Sequence, residues 1–125
     1  MLGDHPVDIV LLATDLDAAK DFYANKVGLK IVNDSPQSVT FKTGGGGNLV
    51  MTKSSVGTKD EQTQATFQVK DLRAEVAELR RKGVKIGEYD TPGLKTVDGI
   101  ADFDFGSLAW FIDPGKNCIG LMQRK

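Results

Sequence analysis

The 125-residue sequence predicts an α+β fold in which two βαβββ modules form a U-shaped mixed sheet around a central cleft. Three observations predict this class: the strand and helix order of the first half, its recurrence in the second half, and a nearly constant offset between the two copies. A chain of this length buries about two-thirds of its unfolded surface and rarely supports two cores. We therefore expect a single domain over 1–125, with modules at about 5–54 and 62–124.

The first module begins with an apolar strand at 7–13, and Asp15 is expected to cap the helix that follows. Apolar residues recur at helical spacing from Leu16 to Val27, and Gly28 supplies a C-terminal stop. Three extended segments separated by turn-forming residues come next, at 29–33, 38–43 and 48–53. The order of this module is therefore β-α-β-β-β.

The second module repeats this order. Asp15 and Asp71, the two predicted helix caps, lie 56 residues apart, and Gly28 and Gly83, the two helix stops, lie 55 apart. Strands are expected at 66–69, 100–105, 108–112 and 118–122, and a long loop at 90–99. A helix covers one face of each half-sheet, so the opposite face has to be buried by the other module or by a partner. We therefore expect a cleft shared by the two modules.

The composition argues against several classes of partner. With 16 basic and 17 acidic residues the net charge is −1, so no overall field attracts nucleic acid or an anionic membrane surface. No apolar run is long enough to span a bilayer and no secretory segment is evident, which predicts a cytoplasmic protein. Cys118 is the only cysteine, which precludes an intrachain disulfide, and we interpret it as a small buried side chain.

Two segments indicate a family. Residues 14–23 read TDLDAAKDFY and are followed by VGLK at 27–30, while residues 111–119 read FIDPGKNCI. In combination they resemble the glyoxalase, bleomycin-resistance and extradiol-dioxygenase superfamily, also called vicinal oxygen chelate proteins. The resemblance covers 7–123 and implies paired βαβββ modules around a U-shaped sheet, commonly in a homodimer. This fold hosts several unrelated chemistries.

The resemblance also implies where a metal would be held. Catalytic members of the superfamily bind a divalent ion with His and Glu side chains from the first and last strand of each module. These positions correspond to Asp8, Val50, Gln64 and Gly120 in this sequence. Val50 and Gly120 offer no side-chain donor, and Gln64 is a weak neutral ligand. We therefore predict no metal and no other cofactor, and we interpret His5, the only histidine, as a surface residue.

Metal-free members of the superfamily, such as bleomycin-type resistance proteins, bind ligands through apolar and aromatic walls with a few polar groups. Strand alternation puts Gln64 and Thr66 on one face, and aromatic residues lie in the strands that close the second module. The acidic stretch 88–104 contains one base, which also suits a cationic ligand if Asp102 and Asp104 share an inward strand face. The candidate ligand-binding residues are Asp8, Val50, Gln64, Thr66, Phe103, Asp104, Trp110 and Gly120.

The leading hypothesis is a metal-independent protein that binds and sequesters a small organic compound, cationic or aromatic, in the manner of antibiotic-resistance proteins. An enzyme is the first alternative: a lyase or isomerase using Asp8, Gln64 or Asp104 as acid or base, or a dioxygenase-type metalloenzyme with ligands elsewhere. A regulatory or partner-binding module is the second. No catalytic residue is assigned, because the single histidine and single cysteine complete neither a Ser-His-Asp nor a Cys-His set.

Overall fold

The computed structural model describes residues 1–59 and 62–125, and the chain divides into two compact units. Unit 1 comprises Met1–Asp60 and Pro114–Asn117, and unit 2 comprises Glu61–Asp113 and Cys118–Lys125. Residues 60 and 61, which lie between the two predicted modules, are outside the described residues. No helix in the described part of the chain combines the length and apolarity that a membrane crossing requires.

The described residues of unit 1 form a four-stranded mixed sheet with a helix on one face. Its regular elements are β1 (Asp8–Ala13), α1 (Leu16–Asp21), β2 (Lys30–Asp34), β3 (Ser38–Lys42) and β4 (Asn48–Lys53). A π-helical turn at Phe22–Lys26 continues α1, and short 3-10 turns lie at Leu2–Asp4 and Gly44–Gly46. The strand order is β1-β4-β3-β2, with β1 parallel to β4 and the other pairs antiparallel.

Unit 2 repeats this topology. Its elements are β5 (Thr63–Gln68), α2 (Leu72–Arg81), β6 (Asp90–Thr91), β7 (Leu94–Lys95), β8 (Ala101–Phe103), β9 (Gly106–Ile112) and β10 (Cys118–Arg124). The main sheet has the order β5-β10-β9-β8, with β5 parallel to β10, and β6 pairs with β7 in a separate hairpin. The equivalent strand orders confirm the predicted fold class of two βαβββ modules.

The two helices begin where the sequence predicts. The side chain of Asp15 accepts a hydrogen bond from the Ala18 N–H at 3.0 Å, and Asp71 accepts one from the Ala74 N–H at 3.1 Å. Each carboxylate satisfies a backbone donor that the first helical turn leaves without a partner, which is the role of an N-cap.

Each sheet buries the face that its helix covers. In unit 1 the largest fully buried side chains include Tyr23 and Phe41, whose ring centroids lie 5.8 Å apart. In unit 2 the side chains of Ile119 and Phe111 are buried on the face against which α2 packs. The alternate residues of the same strands therefore point to the face opposite the helix.

The second strand of the repeat is interrupted in unit 2. Ile31 pairs with Phe41 in unit 1, and Ile86 forms the matching bridge to Phe111 in unit 2. Residues 87–99 then leave the sheet before β8 pairs with the other end of β9. The prediction of a loop without strands at 90–99 is wrong, because β6 and β7 form a hairpin within this insertion.

Candidate functional site

The strongest candidate site lies on the unit 2 sheet, on the face opposite α2. Gly120 of β10 pairs with Thr66 of β5 on one side and with Trp110 of β9 on the other. Residues in register across neighbouring strands project to the same face. The neighbours of Gly120 along β10, Ile119 and Leu121, are buried on the face covered by α2. Three of the predicted site residues therefore form one row across the sheet.

Gly120 contributes no side chain to this row. A Cβ atom at this position would lie 3.0 Å from Oγ1 of Thr66, 3.4 Å from Cγ2 of Thr63 and 3.5 Å from Nε1 of Trp110. Carbon contacts this short to a hydroxyl oxygen are crowded, so the site tolerates a side chain here poorly. Without one, a hydroxyl group and an indole N–H flank bare backbone, and the indole N–H is solely a donor.

Tyr89 adds a second aromatic side chain, which the sequence analysis did not identify. Its ring meets that of Trp110 edge to face, with centroids 5.5 Å apart and planes at 86°. The N–H of Gly87 donates to the Trp110 carbonyl oxygen at 2.8 Å, and a Cβ at Gly87 would lie 2.9 Å from the Tyr89 ring. The insertion at 87–99 therefore brings Tyr89 to the sheet. An aromatic residue in a loop of mostly polar and small residues was the available signal.

Cys118 projects to the same face, two residues before Gly120 on β10. Its Sγ lies 3.9 Å from Oγ1 of Thr63, and its side chain is buried, as the sequence analysis predicted. Burial raises the pKa of the Cys118 thiol, and the hydrogen bond with Thr63 offsets part of this effect. Burial also raises the pKa of the Tyr89 phenol, and the nearby Cys118 adds to that increase. Both groups are therefore neutral at neutral pH.

The raised thiol pKa predicts a loss of stability in alkali. An unfolded thiol loses its proton near pH 9.0, whereas the folded thiol keeps its proton to higher pH. The folded state then binds more protons than the unfolded state, so the free energy of unfolding falls as pH rises through this window. Urea unfolding between about pH 8 and pH 10 measures the slope. Cys118→Ala should make it shallower, and an unchanged slope would contradict this assignment.

Gln64 is the extra residue of a bulge between β5 and β10. Cys118 pairs with Thr63, whereas Ile119 pairs with Ala65, so Gln64 is skipped in the register. Its Oε1 accepts a hydrogen bond from the Cys118 N–H at 2.8 Å. The Gln64 side chain therefore links the bulged segment of β5 to the backbone of β10.

The predicted acidic strand face does not form. The strand ends at Phe103, so Asp104 lies in the turn that leads to β9, where it is exposed. Asp102 accepts a hydrogen bond from Ser107 Oγ at 2.5 Å. Phe103 remains a candidate, since it pairs with Gly106 and so shares the face of Trp110. Its ring stacks on that of Phe105, with centroids 5.3 Å apart.

Other acids of the stretch 88–104 have structural partners. Oε1 of Glu88 accepts from the Gly99 N–H at 2.7 Å and from Thr96 Oγ1 at 2.6 Å. Asp98 pairs with Arg80 at 2.9 Å. Glu88 therefore ties the two ends of the insertion together, while Asp98 links it to α2.

Asp8 and Val50 lie in unit 1, on the sheet face opposite α1. The two residues belong to β1 and β4, and Oδ1 of Asp8 accepts a hydrogen bond from Asn48 Nδ2 at 3.3 Å. Val50 is in register with Val10 of β1 and Thr40 of β3, so its surroundings combine apolar and hydroxyl groups.

Unit 1 also contains a polar cavity of about 670 Å³ near the ends of β1 and β4 and the start of α1. Its lining includes Asp15, Lys20, Asp34 and Lys53. The Asp15 carboxylate is used as the helix cap, and Lys20 forms an ion pair with Asp34. Three of these four charged side chains therefore already have partners within unit 1.

The two βαβββ units place this chain in the class of α+β proteins built from paired modules, with a candidate ligand site on the sheet of unit 2. A family model described as "Glyoxalase/Bleomycin resistance protein/Dioxygenase superfamily" matches residues 5–120. The chain belongs to this superfamily. No curated protein matches it.

Solved structures support the same conclusion. The chain is 25% identical to TnmS3, an antibiotic binding protein from Streptomyces sp. CB03234, with a TM-score of 0.71 and coverage of 97% of this chain and 96% of that one. A glyoxalase/bleomycin resistance protein from the same organism has 25% identity, a TM-score of 0.71, and coverage of 95% and 100%. A lactoylglutathione lyase from Agrobacterium tumefaciens, at 21% identity, a TM-score of 0.68, and coverage of 95% and 92%, shares the fold.

The residues at the superfamily's metal positions do not fit a divalent ion. Val50 and Gly120 contribute no donor atom, and the Gln64 oxygen already accepts a backbone N–H. Within residues 1–59 and 62–125, no three His, Cys, Asp or Glu side chains are grouped as metal ligands would be. A transition metal needs several such donors converging on one point.

Proposed function

We propose that this chain binds a small aromatic compound on the open face of the unit 2 sheet and sequesters it without a metal ion. The row formed by Thr66, Gly120 and Trp110 carries this proposal, because it combines an aromatic wall with two polar groups beside bare backbone. Small-molecule sites have this composition: mostly apolar, with a few polar groups that set orientation. The likeness to an antibiotic binding protein at 25% identity supports the same function.

The chemistry of this face favours binding over catalysis. Catalytic nucleophiles and bases need a pKa close to the working pH, and the pKa shifts of Cys118 and Tyr89 run upward, away from neutrality. The side chains at the superfamily's metal positions also lack the donor atoms that would hold a metal ion as a Lewis acid. A lyase or dioxygenase-type activity therefore has less support from these residues than sequestration.

Trp110 is the chain's only tryptophan, so its fluorescence reports on the proposed site. We expect naphthols, coumarins or flavones to quench this fluorescence saturably, with one ligand per chain. A compound at 100 times its dissociation constant should also raise the free energy of unfolding by about 2.7 kcal/mol, measurable by thermal shift. No saturable quenching by any member of the panel would contradict the proposal.

The metal-independent part of the proposal has a separate test. We expect elemental analysis to find substoichiometric metal after incubation with zinc, nickel, manganese or iron and dialysis. Binding of the aromatic panel should be unchanged by a chelator, because no ion takes part. One tightly held ion per chain would favour the enzymatic alternative.

We also propose that the chain forms a homodimer. The unit 1 sheet face opposite α1 supports this, since Val10 is 59% exposed and Leu12 is 36% exposed on neighbouring positions of one face. Exposed apolar side chains grouped on a sheet face are typical of protein interfaces. Analytical ultracentrifugation should give twice the chain mass of 13.5 kDa.

The dimer proposal predicts how two charged substitutions differ. Val10→Lys should shift the protein toward the monomer, because burying an unpaired ammonium group in an interface is costly. Val97→Lys is the control, as Val97 is 70% exposed in the insertion of unit 2. A wild-type protein that sediments as a monomer at all concentrations would contradict the dimer.

A cytoplasmic location is the last part of the proposal. Its support is the single cysteine, Cys118, which is free and buried. Disulfides are common in secreted proteins of this size and rare in the reducing cytosol. Cell fractionation of the tagged protein tests the location.

A further inference from the structure

We infer that the ligand carries a neutral oxygen, such as a phenolic hydroxyl or a ring carbonyl, on the edge of its aromatic system, and that this oxygen lies over Gly120. The inference rests on the proposed function and specifies the chemistry of its ligand. Oγ1 of Thr66 and Nε1 of Trp110 both lie within 3.5 Å of the point that a Cβ of Gly120 would occupy. Because both atoms lie this close to one point, a ligand oxygen placed between them, farther from the backbone than a Cβ would be, can contact both groups.

The hydrogen-bonding capacity of the two groups selects oxygen. The indole N–H only donates, so its partner has to be an acceptor, while the threonine hydroxyl donates or accepts. A phenolic oxygen can accept from Trp110 and donate to Thr66, and a carbonyl oxygen can accept from both. A pure hydrocarbon would cover both polar groups and satisfy neither, which reduces its affinity.

An ammonium group fits the same position poorly. It has no lone pair to accept from Nε1 of Trp110. Asp102 and Asp98 are engaged elsewhere, with Ser107 and Arg80 respectively. Asp90 and Asp104 are exposed to solvent, which screens their charge. The sequence analysis left both cationic and aromatic ligands open. The geometry favours an uncharged aromatic compound that carries an oxygen.

The lack of a side chain at Gly120 is what gives access to the two polar groups. The third contact of a Cβ there would be Cγ2 of Thr63, an apolar methyl group. The space over Gly120 is thus bounded by one hydroxyl, one N–H and one methyl. This boundary suits a single polar atom attached to an apolar ring.

Equilibrium dialysis with three matched probes tests the inference: 2-naphthol, naphthalene and 2-naphthylmethylammonium. The wild-type protein should bind 2-naphthol about tenfold more tightly than either of the others, since one satisfied hydrogen bond accounts for a difference of this size. Equal or tighter binding of naphthalene or of the ammonium probe would overturn the inference and leave the proposed function standing. Failure of all three probes to bind would overturn both.

Two variants assign the effect to the named groups. Thr66→Val is nearly isosteric and removes the hydroxyl, so it should weaken 2-naphthol about tenfold and leave naphthalene unchanged. Trp110→Phe removes the N–H together with part of the aromatic surface, so it should weaken both probes, 2-naphthol about tenfold more than naphthalene, whereas Gly120→Ala should abolish the preference for naphthol. Thr91→Val, in the exposed β6 strand, is the matched control and should change neither affinity. Unchanged naphthol binding in the first two variants, with folding verified by circular dichroism, would overturn the inference.

Discussion

Replacing Gly106 with alanine should lower the free energy of unfolding by about 3 kcal/mol or more, because the added methyl group would clash with the neighbouring strand. A Cβ at Gly106 would lie 2.2 Å from the carbonyl oxygen of Gln123 and 3.0 Å from the Cα of Arg124. Both are main-chain atoms of β10, the strand that pairs with β9 at this position. No rotamer change relieves such a clash, so the two strands would have to separate locally.

Gly44→Ala is the matched control for this substitution. A Cβ at Gly44 would meet no atom within 4 Å, and its φ lies outside the left-handed region. Its effect should stay within about 0.5 kcal/mol. Urea unfolding followed by circular dichroism compares the two midpoints. Equal midpoints for the two variants would show that β9 and β10 tolerate a wider spacing than the structure indicates.

Replacing Asn117 with alanine should lower the free energy of unfolding by about 2 to 4 kcal/mol. Asn117 is fully buried in unit 1, where its Nδ2 donates to the Leu12 carbonyl oxygen at 2.9 Å. Its Oδ1 accepts a hydrogen bond from the hydroxyl of Thr58. Truncation removes the partners of a strand carbonyl and of a hydroxyl, and it leaves a cavity where the amide was.

Two further variants separate hydrogen bonding from volume at Asn117. Asn117→Asp keeps the shape but sets a carboxylate against the Leu12 carbonyl oxygen, so it should destabilise the fold at least as much as alanine. Asn33→Ala replaces an exposed asparagine of β2 and should change the free energy of unfolding by about 0.5 kcal/mol at most. A loss at Asn117 no larger than that at Asn33 would show that the Asn117 hydrogen bonds do not stabilise the fold.

Part of the candidate site was accessible from the sequence. Strand alternation selected Thr66, the superfamily resemblance selected Gly120, and the aromatic content of the closing strands selected Trp110. These three residues form the row across the unit 2 sheet. Tyr89 was missed because its contact with Trp110 depends on the path of an insertion that has no counterpart in unit 1.

Gln64 shows that the register between two strands can differ from what the sequence pattern predicts. Counting along the chain placed Gln64 at a superfamily ligand position. A bulge between Cys118 and Ile119 instead makes it the residue skipped in pairing, and its side chain bonds to the Cys118 backbone. A bulge depends on the partner strand, which lies more than 50 residues away, so local sequence carries little information about it.

The acidic stretch shows the same limit for charges. Composition indicated an excess of carboxylates over bases between 88 and 104, which suited a cationic ligand. The structure pairs Asp98 with Arg80 from α2 and uses Glu88 to bind the Gly99 N–H. A count of charges along the chain cannot show which of them neutralise one another in space.

The sequence by itself determined the order of strands and helices outside the insertion at 87–99, the two aspartate caps and the duplication, because periodicity, capping and turn chemistry act between residues close in the chain. It also carried the superfamily resemblance, in residues 14–30 and 111–119. The tertiary structure alone decided that the Thr66 hydroxyl and the Trp110 N–H flank Gly120, that β5 bulges at Gln64, and that Tyr89 meets Trp110. Each of these depends on pairing between distant strands, where a shift of one residue moves every side chain to the opposite face.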